Sequence, residues 1–308
     1  MSLHIHHLTG CAPEPLAGYL KGLGILRVIS EQKDHGARGW WQDEHFCLMT
    51  ALDLDQLEAF FLKDYSPTPL VSPWNKGSGF FAPNDPGLSP LESSVAPRFE
   101  SFREGARSAR HLLTELANAD AAIRALKDRT KARAGMSATE KGAARDLAQD
   151  ADFRQKLAAA ERRFKELKAD LFTPCLLAWR GRHREWLDAA LVVLDGGKVA
   201  WPSLLGTGGN DGRFDFTNNF MQRLGDIFNL ADEVGAAKVA AGPLLGNSLY
   251  GTPTNDLSTA AVGQFSPGSA GGANSSTGPD GDSSVNPWDF LLMLEGTVVL
   301  RSSFCLLY

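Results

Sequence analysis

The chain has 308 residues, of which 43% are hydrophobic and 22% are charged, and its formal net charge is -5. This length and apolar content are enough for one large or two ordinary domains, and they exclude a wholly disordered, collagen-like or disulfide-stabilised small protein. The acidic total, taken by itself, argues against a nucleic-acid partner.

The opening residues predict a strand, a helix and a second strand. Residues 3–8 alternate between apolar and polar side chains, and apolar residues recur at helical spacing over residues 16–28. Glycines at positions 18, 22 and 24 lower the intrinsic stability of this helix, but they permit close packing against a neighbour. Residues 39–50, GWWQDEHFCLMT, are interpreted as the second strand.

A loop rich in proline and aromatic residues follows. Six prolines lie between residues 67 and 90, and because proline removes backbone donors and fixes φ, the segment is predicted to be irregular. Residues 73–80, PWNKGSGF, are typical of a rigid recognition loop, although a loop without a binding role is the alternative. We expect burial of Trp74 and Phe80 beneath the loop. The side chains expected to be presented are Asn75, Lys76 and Ser78.

Residues 98–170 are dominated by alanine and charge, and they predict a long antiparallel helical hairpin. A break lies near residues 134–137, and Ser137 with Glu140 has capping-box spacing for the second helix. Residues 98–184 contain 20 Lys and Arg against 12 Asp and Glu, a net charge of +8, whereas the remainder contains 11 against 24, a net charge of -13. This asymmetry predicts a basic surface within an acidic protein.

The hairpin carries the electrostatic candidates for nucleic-acid binding. Basic residues recur on one helical face in two groups, which are Arg103, Arg107 and Arg110, and then Arg124, Lys127 and Lys131. A polybasic face binds phosphates without sequence preference. Such runs also occur on ordinary solvated helices, and both interpretations stay open.

Residues 187–205 predict a two-stranded hairpin with a glycine turn, and residues 206–213, GTGGNDGR, form a glycine-rich loop before a helix over residues 217–230. The loop matches neither the P-loop nor the GxGxxG pattern. It is interpreted as a nucleotide-cofactor site, a cradle for a polynucleotide phosphate or a structural turn. The residues assigned to nucleic-acid contact are Gly208, Gly209, Asn210 and Arg213.

The helix after this loop has two distinct faces. Its apolar stripe, predicted to be buried, consists of Phe216, Phe220, Leu224, Ile227 and Phe228. The opposite face carries Asn219, Gln222, Arg223 and Asp226 at helical spacing. Amide and guanidinium groups beside a glycine loop suit contacts to phosphates or base edges. An ordinary solvated face is the alternative.

The cysteines predict a reducing compartment. They are widely scattered without a CxxC pair, and they are Cys11, Cys47, Cys175 and Cys305. No secretory signal is visible, and no apolar run reaches the roughly 18 residues of a membrane-spanning helix. We therefore expect buried free thiols in a cytoplasmic protein that does not associate with a membrane. Residues 263–285 are of low complexity and predict a mobile surface loop.

Catalytic and metal-binding patterns are weak in the sequence. His4 and His6 share one face of the first strand while His7 faces away, and no Asp, Glu or Cys has a familiar ligand spacing to them. Packing or hydrogen bonding by these histidines is favoured over a metal site. A GxSxG elbow and a local Cys–His signature are missing, so we expect a protein that is not an enzyme and has no cofactor.

Several long motifs resemble those of one family. They are LTGCAPEPLAGYLKGLGILRVISEQKD at residues 8–34, ARGWW at residues 37–41, PTPLVSPWNKGSGF at residues 67–80, LLGTGGNDGRFDFTNNFMQRL at residues 204–224 and NPWDFLLMLEG at residues 286–296. Together they are similar to the large subunit of the type I-G (formerly I-U) CRISPR effector. The resemblance covers nearly the whole chain. Family members continue well past the last motif, so this chain is expected to be the front half of a larger protein.

The resemblance implies a role in RNA-guided antiviral defence. The expected partners are the other subunits of the effector complex, guide RNA and target double-stranded DNA, with a separate helicase-nuclease that cuts the DNA. The large subunit is expected to help recognise the protospacer-adjacent motif, while guide–target pairing provides sequence specificity. Two rivals remain, which are a scaffold that contacts only protein and guide RNA, and a nucleotide-dependent enzyme that uses residues 206–213.

The predicted fold class is α+β, a mixed α/β body with the basic helical hairpin inserted at about residues 98–170. The domain boundaries that follow are 1–97 for the first part of the body, 98–172 for the hairpin and 173–308 for the second part of the body.

Overall fold

The structure of the chain is a computed structural model. It describes residues 2–82, 84–131, 136–179, 183–193, 199–200, 216–261, 266 and 282–301. Helices predominate and the strands form small antiparallel sheets, which confirms the α+β class.

The helices occupy most of the described chain. Their bounds are α1 Leu16–Gln32, α2 Leu54–Ala59, α3 Leu88–Ser93, α4 Glu100–Leu112, α5 Thr114–Thr130, α6 Ala138–Gln149, α7 Ala151–Asp170, α8 Phe172–Ala178, α9 Arg184–Ala190, α10 Phe216–Ile227, α11 Ala241–Tyr250 and α12 Pro287–Thr297. The strands are β1 His4–Leu8, β2 Arg38–Gln42, β3 His45–Thr50, β4 Val192–Val193, β5 Val199–Ala200, β6 Ser258–Ala261 and β7 Asp282–Val285.

The chain divides into two units. Unit 1 consists of residues 1–106 and 181–308, and unit 2 consists of residues 107–180. The sequence-based boundaries of the inserted helices were placed at residues 98 and 172. Unit 2 contains 16 Lys and Arg against 10 Asp and Glu, a net charge of +6, so the charge asymmetry persists with these bounds.

The first three strands form one antiparallel sheet in the order β1-β3-β2. The prediction of a single strand over residues 39–50 is wrong, because the chain reverses at Asp43 and Glu44, and Asp43 adopts a φ of 54°. Helix α1 packs on one face of this sheet, since a Cβ atom at Gly22 would lie 3.0 Å from the ring of Phe46 and 3.1 Å from that of Trp41.

The core of unit 1 contains the tight packing of α1 on α12. A Cβ atom added at Gly24 would lie 1.9 Å from the carbonyl oxygen of Leu292, and one added at Gly296 would lie 1.9 Å from that of Leu20. The two backbones therefore approach to a distance that only glycine allows. The expectation that the glycines of the first helix permit close packing is confirmed.

A fully buried carboxylate joins three segments of unit 1. Glu295 on α12 accepts hydrogen bonds from Arg27 Nη1 at 2.6 Å, from the Tyr65 hydroxyl at 2.6 Å, and from Thr68 through its backbone N–H at 2.9 Å and its hydroxyl at 2.6 Å. Burial and the neighbouring charge of Glu295 raise the pKa of Tyr65 well above its usual range. The phenol therefore stays protonated and donates to the carboxylate.

Unit 2 contains more helices than the two of the predicted hairpin. The described residues between 107 and 170 comprise the end of α4 and the whole of α5, α6 and α7, with interruptions at Leu113 and at Asp150. Helix α5 packs against α7. The capping box of Ser137 and Glu140 is confirmed at the start of α6, with Glu140 accepting from the Ser137 backbone N–H at 2.7 Å.

Two further sequence-based assignments need correction. Residues 184–190 form helix α9 instead of continuing the strand pattern predicted from residue 187. The pairing of β4 with β5 agrees with the predicted hairpin, whose turn at residues 195–197 lies outside the described residues. Residues 282–285 pair with β6 and so do not belong to a surface loop, because their backbone groups are used in a ladder.

Candidate nucleic-acid interface

The loop at residues 73–80 is ordered by its aromatic side chains. Trp74 and Phe80 are buried, as predicted from sequence. A short 3-10 turn, Lys76–Ser78, lies between them, and Asn75 caps it by accepting a hydrogen bond from Gly77 N–H at 3.2 Å. These contacts give the loop a defined conformation, and its predicted role in recognition stays a prediction.

Ser78 is not presented to a ligand, which corrects one of the site predictions. Its side chain is fully buried, and its hydroxyl donates to the carbonyl oxygen of Asn75 at 2.6 Å. A hydroxyl in a glycine-rich turn satisfies a local backbone acceptor more readily than it projects outward. Asn75 is half-buried, and the side chain of Lys76 is not among those that the structure describes.

The structure brings this proline-rich loop onto α10, an association that sequence reasoning missed. Asp85 accepts a hydrogen bond from Asn218 Nδ2 at 2.8 Å, and Asn218 Oδ1 accepts one from Gln222 Nε2 at 2.6 Å. The same Asp85 oxygen accepts from the backbone N–H groups of Gly87 and Leu88, at 2.9 and 2.8 Å. One carboxylate thus organises the loop and fixes it to the helix.

Two glycines allow the loop to approach the helix closely. Gly79 has a φ of 92°, and a Cβ atom there would lie 2.7 Å from the carboxyl group of Asp85 and 3.0 Å from Asn218 Nδ2. At Gly87 a Cβ atom would lie 2.8 Å from the carbonyl oxygen of Asn218. The GSG sequence and the later glycine therefore serve this docking directly.

Helix α10 has the two faces that its sequence predicts. The stripe of apolar residues is buried throughout, and it comprises Phe216, Phe220, Leu224, Ile227 and Phe228. On the other face, Asn219 and Gln222 are half-buried. Arg223 Nη1 lies 2.7 Å from Asp226 Oδ2, and the two side chains are 23% and 44% exposed. The guanidinium is therefore accessible but already has one acidic neighbour.

A groove runs beside this face of α10. It has a volume of about 710 Å³, and the residues of its wall include Pro86, Pro90, Gln222, Asp226 and Lys238. The groove brings the loop before α3 and the outer face of α10 to one surface. Its wall combines apolar side chains with amide, carboxylate and ammonium groups.

The glycine-rich loop cannot be placed on this surface. Gly208, Gly209, Asn210 and Arg213 lie outside the described residues, and only the helix that follows them is seen. Their assignment to nucleic-acid contact stays a prediction.

The basic residues of the helical segment differ in their surroundings. Arg103 is half-buried and donates from Nη1 to the carbonyl oxygen of Ala96 at 2.8 Å, whereas Arg107 and Arg110 are exposed. The second basic group is engaged in ion pairs, which are Arg124 with Asp120 at 3.0 Å, Lys127 with Glu161 at 2.7 Å and Lys131 with Asp128 at 3.4 Å. Within the first basic group, the two exposed arginines are therefore better placed than Arg103 for a phosphate ligand.

The cysteines that the structure describes agree with the expectation of buried free thiols. Cys11, Cys47 and Cys175 are all free and buried. Burial raises the pKa of Cys11 to about 11 and that of Cys175 to about 12, so both stay protonated at neutral pH. His6 forms a hydrogen bond, as predicted, in which its Nε2–H donates to the carbonyl oxygen of Leu52 at 2.8 Å.

A second cluster lies on the first sheet. His7, His45 and Cys47 have potential metal-ligand atoms that all lie within 4.8 Å of one another. Sequence reasoning considered His7 but missed the other two, since they come from a strand that was not expected to pair with β1 in this register.

No family model matches the chain, and no curated protein is significantly similar to it in sequence. Among the helices that the structure describes, none is both long enough and apolar enough to cross a membrane.

Proposed function

We propose that this chain is a non-catalytic subunit of an RNA-guided antiviral complex, which contributes to recognition of target DNA and to assembly of the complex. The observation that carries the proposal is the docking of residues 73–80 on α10 through Asp85 and Asn218. These two segments hold two of the motifs that resemble the type I-G large subunit. Because the two motifs lie on one surface, we infer that they serve one function.

The chemistry of this surface supports contact with a nucleic acid. Amides at Asn75, Asn219 and Gln222 can hydrogen-bond to base edges or phosphates, and Arg223 supplies an accessible guanidinium. The surface is not strongly basic, because Asp226 lies beside Arg223. Recognition of a short duplex motif needs few such contacts when guide–target pairing provides the sequence specificity.

The loop and α10 provide a direct test of DNA binding. In the assembled complex, Lys76→Ala and Arg223→Ala are each expected to lower the affinity for target DNA about tenfold. Each is also expected to reduce the slope of log affinity against log salt concentration by about one. Asp226→Asn is expected to raise the affinity, because it removes the negative charge beside Arg223. Filter binding or fluorescence anisotropy at several salt concentrations measures both quantities.

Lys33→Ala is the matched control, since Lys33 is an exposed lysine of unit 1 that pairs with Asp64 at 2.7 Å. Its affinity and salt dependence should equal those of the unchanged protein. If Lys76→Ala and Arg223→Ala behave like this control, the surface does not contact DNA.

A scaffold that contacts only protein and guide RNA is the second candidate. The ion pairs of Arg124, Lys127 and Lys131 favour it, because they partly neutralise the second basic group. Replacement of Arg107 and Arg110 by glutamine distinguishes the two functions. Loss of assembly with unchanged DNA affinity of the complex that still forms supports the scaffold.

A further inference from the structure

The first sheet has one face that α1 does not cover. Because residues directly opposite each other in an antiparallel pair point to the same side, the register places His7 and Cys47 together, and Gln42 beside His45. The exposed or half-exposed residues of this face are Ile5, His7, Arg38, Trp40, Gln42, His45 and Met49. Cys47 is the buried residue at its centre.

Three side chains on this face have the spacing of zinc ligands. His7 Nδ1 lies 3.1 Å from His45 Nε2 and 3.5 Å from Cys47 Sγ. In a tetrahedral zinc site the Zn–N and Zn–S distances require edges of about 3.3 Å between two nitrogens and about 3.6 Å between nitrogen and sulfur. Both distances from His7 agree with these edges, and His45 Nε2 and Cys47 Sγ lie within 4.8 Å of each other.

The fourth side of the cluster is also polar. Gln42 Oε1 lies 3.8 Å from Cys47 Sγ, close enough to hydrogen-bond a water molecule in the fourth coordination position. His7 is exposed and His45 is half-buried, so the cluster lies at the surface of the sheet. Three protein ligands and one water molecule are an established arrangement for zinc.

The local charge favours a cation. Asp43 and Glu44 form the turn that immediately precedes His45. A cysteine side chain binds a metal ion as its thiolate, which a positive partner stabilises. A divalent cation supplies that partner, and the thiol proton is released to solvent when it binds.

We propose that His7, His45 and Cys47 bind a zinc ion, with a water molecule held by Gln42 as the fourth ligand. This site goes beyond the proposed DNA-binding function, because it lies on the first sheet and uses none of the residues of the loop or α10. The ion ties β1 to β3 on the face of the sheet that α1 leaves uncovered. It adds side-chain ligation to the backbone ladder that joins these two strands.

Cobalt is a suitable spectroscopic probe, because Co²⁺ occupies zinc sites and a Co²⁺–thiolate bond absorbs in the near ultraviolet. The full chain is treated with a chelator, titrated with Co²⁺ and then with Zn²⁺. We expect one equivalent of Co²⁺ with a thiolate charge-transfer band that Zn²⁺ abolishes. Cys47→Ser is expected to lose the band, and His7→Ala and His45→Ala are expected to weaken Co²⁺ binding at least tenfold.

His4→Ala is the matched control, since His4 lies on the same strand but points to the opposite face from His7. It should bind Co²⁺ as the unchanged chain does. Zn²⁺ should raise the melting temperature of the unchanged chain and of His4→Ala, and it should leave that of His45→Ala unchanged. A charge-transfer band that survives in Cys47→Ser, or no band in the unchanged chain, would overturn the proposal. Because His7 is exposed, His7→Ala keeps the test valid even where Cys47→Ser fails to fold.

Discussion

Gly24→Ala is expected to lower the free energy of unfolding of unit 1 by about 3 kcal/mol or more. The added methyl group would lie 1.9 Å from the carbonyl oxygen of Leu292 and 2.8 Å from the backbone nitrogen of Gly296. Both obstacles are backbone atoms, so no side chain can rotate to make space, and α1 and α12 must separate. The gain of about 1 kcal/mol in helix propensity from alanine is too small to compensate.

Urea denaturation followed by tryptophan fluorescence measures this change, because Trp288 is fully buried in unit 1. Gly242→Ala in α11 is the control, since a Cβ atom there has nothing within 4 Å. Its stability should be unchanged or up to about 1 kcal/mol greater. Equal effects at the two glycines would show that α1 and α12 do not pack as described.

Glu295→Gln is expected to destabilise unit 1 by about 3–5 kcal/mol. The substitution keeps the shape of the side chain but removes the charge that faces Arg27. Each carboxylate oxygen accepts two of the four hydrogen bonds, and the substitution replaces one of these oxygens by an amide donor. Burial alone would lower the pKa of Arg27, and the carboxylates of Glu295, Glu31 and Glu185 outweigh it and raise that pKa. A guanidinium stays protonated in proteins, so Arg27 remains charged in the variant and loses its most buried partner.

The control for this effect is an exposed pair of the same type. Asp64→Asn breaks the ion pair with Lys33, whose side chains are 51% and 41% exposed, and it should cost no more than about 1 kcal/mol. A double-mutant cycle with Arg27→Met isolates the interaction itself. If the effects of Glu295→Gln and Arg27→Met simply add, the two groups are not coupled and the buried pair does not stabilise the core.

Features that depend on neighbouring residues were predictable from the sequence. The buried stripe of α10 follows from apolar residues at helical spacing, and the cap at Ser137 follows from a side chain three residues before Glu140. The glycines of α1 were correctly interpreted as positions of close packing. Their partner could not be named, since α12 is remote in sequence and its own glycine has no local signature.

Features that depend on distant residues or on one unusual backbone angle were missed. The turn at Asp43 interrupts an alternating pattern that otherwise reads as one strand, and a positive φ at an aspartate has no reliable sequence signal. The bond between Asp85 and Asn218 spans 133 residues, and the two segments it joins were predicted to bind ligand separately. In the sequence, Glu295 is a polar residue near the end of an apolar helix. Its partners Arg27, Tyr65 and Thr68 come from remote segments, so its buried role has no local signal.

The packing of α1 on α12 also sets the order in which the chain can fold during synthesis. Arg27 and Glu295 are 268 residues apart, so the first helix leaves the ribosome long before the surface that covers it exists. Contacts between α5 and α7 join residues of unit 2 alone, and low sequence separation favours their earlier formation. The glycine-containing face of α1 is therefore uncovered until α12 has been synthesised, so the segment that completes the core of unit 1 is among the last to be made.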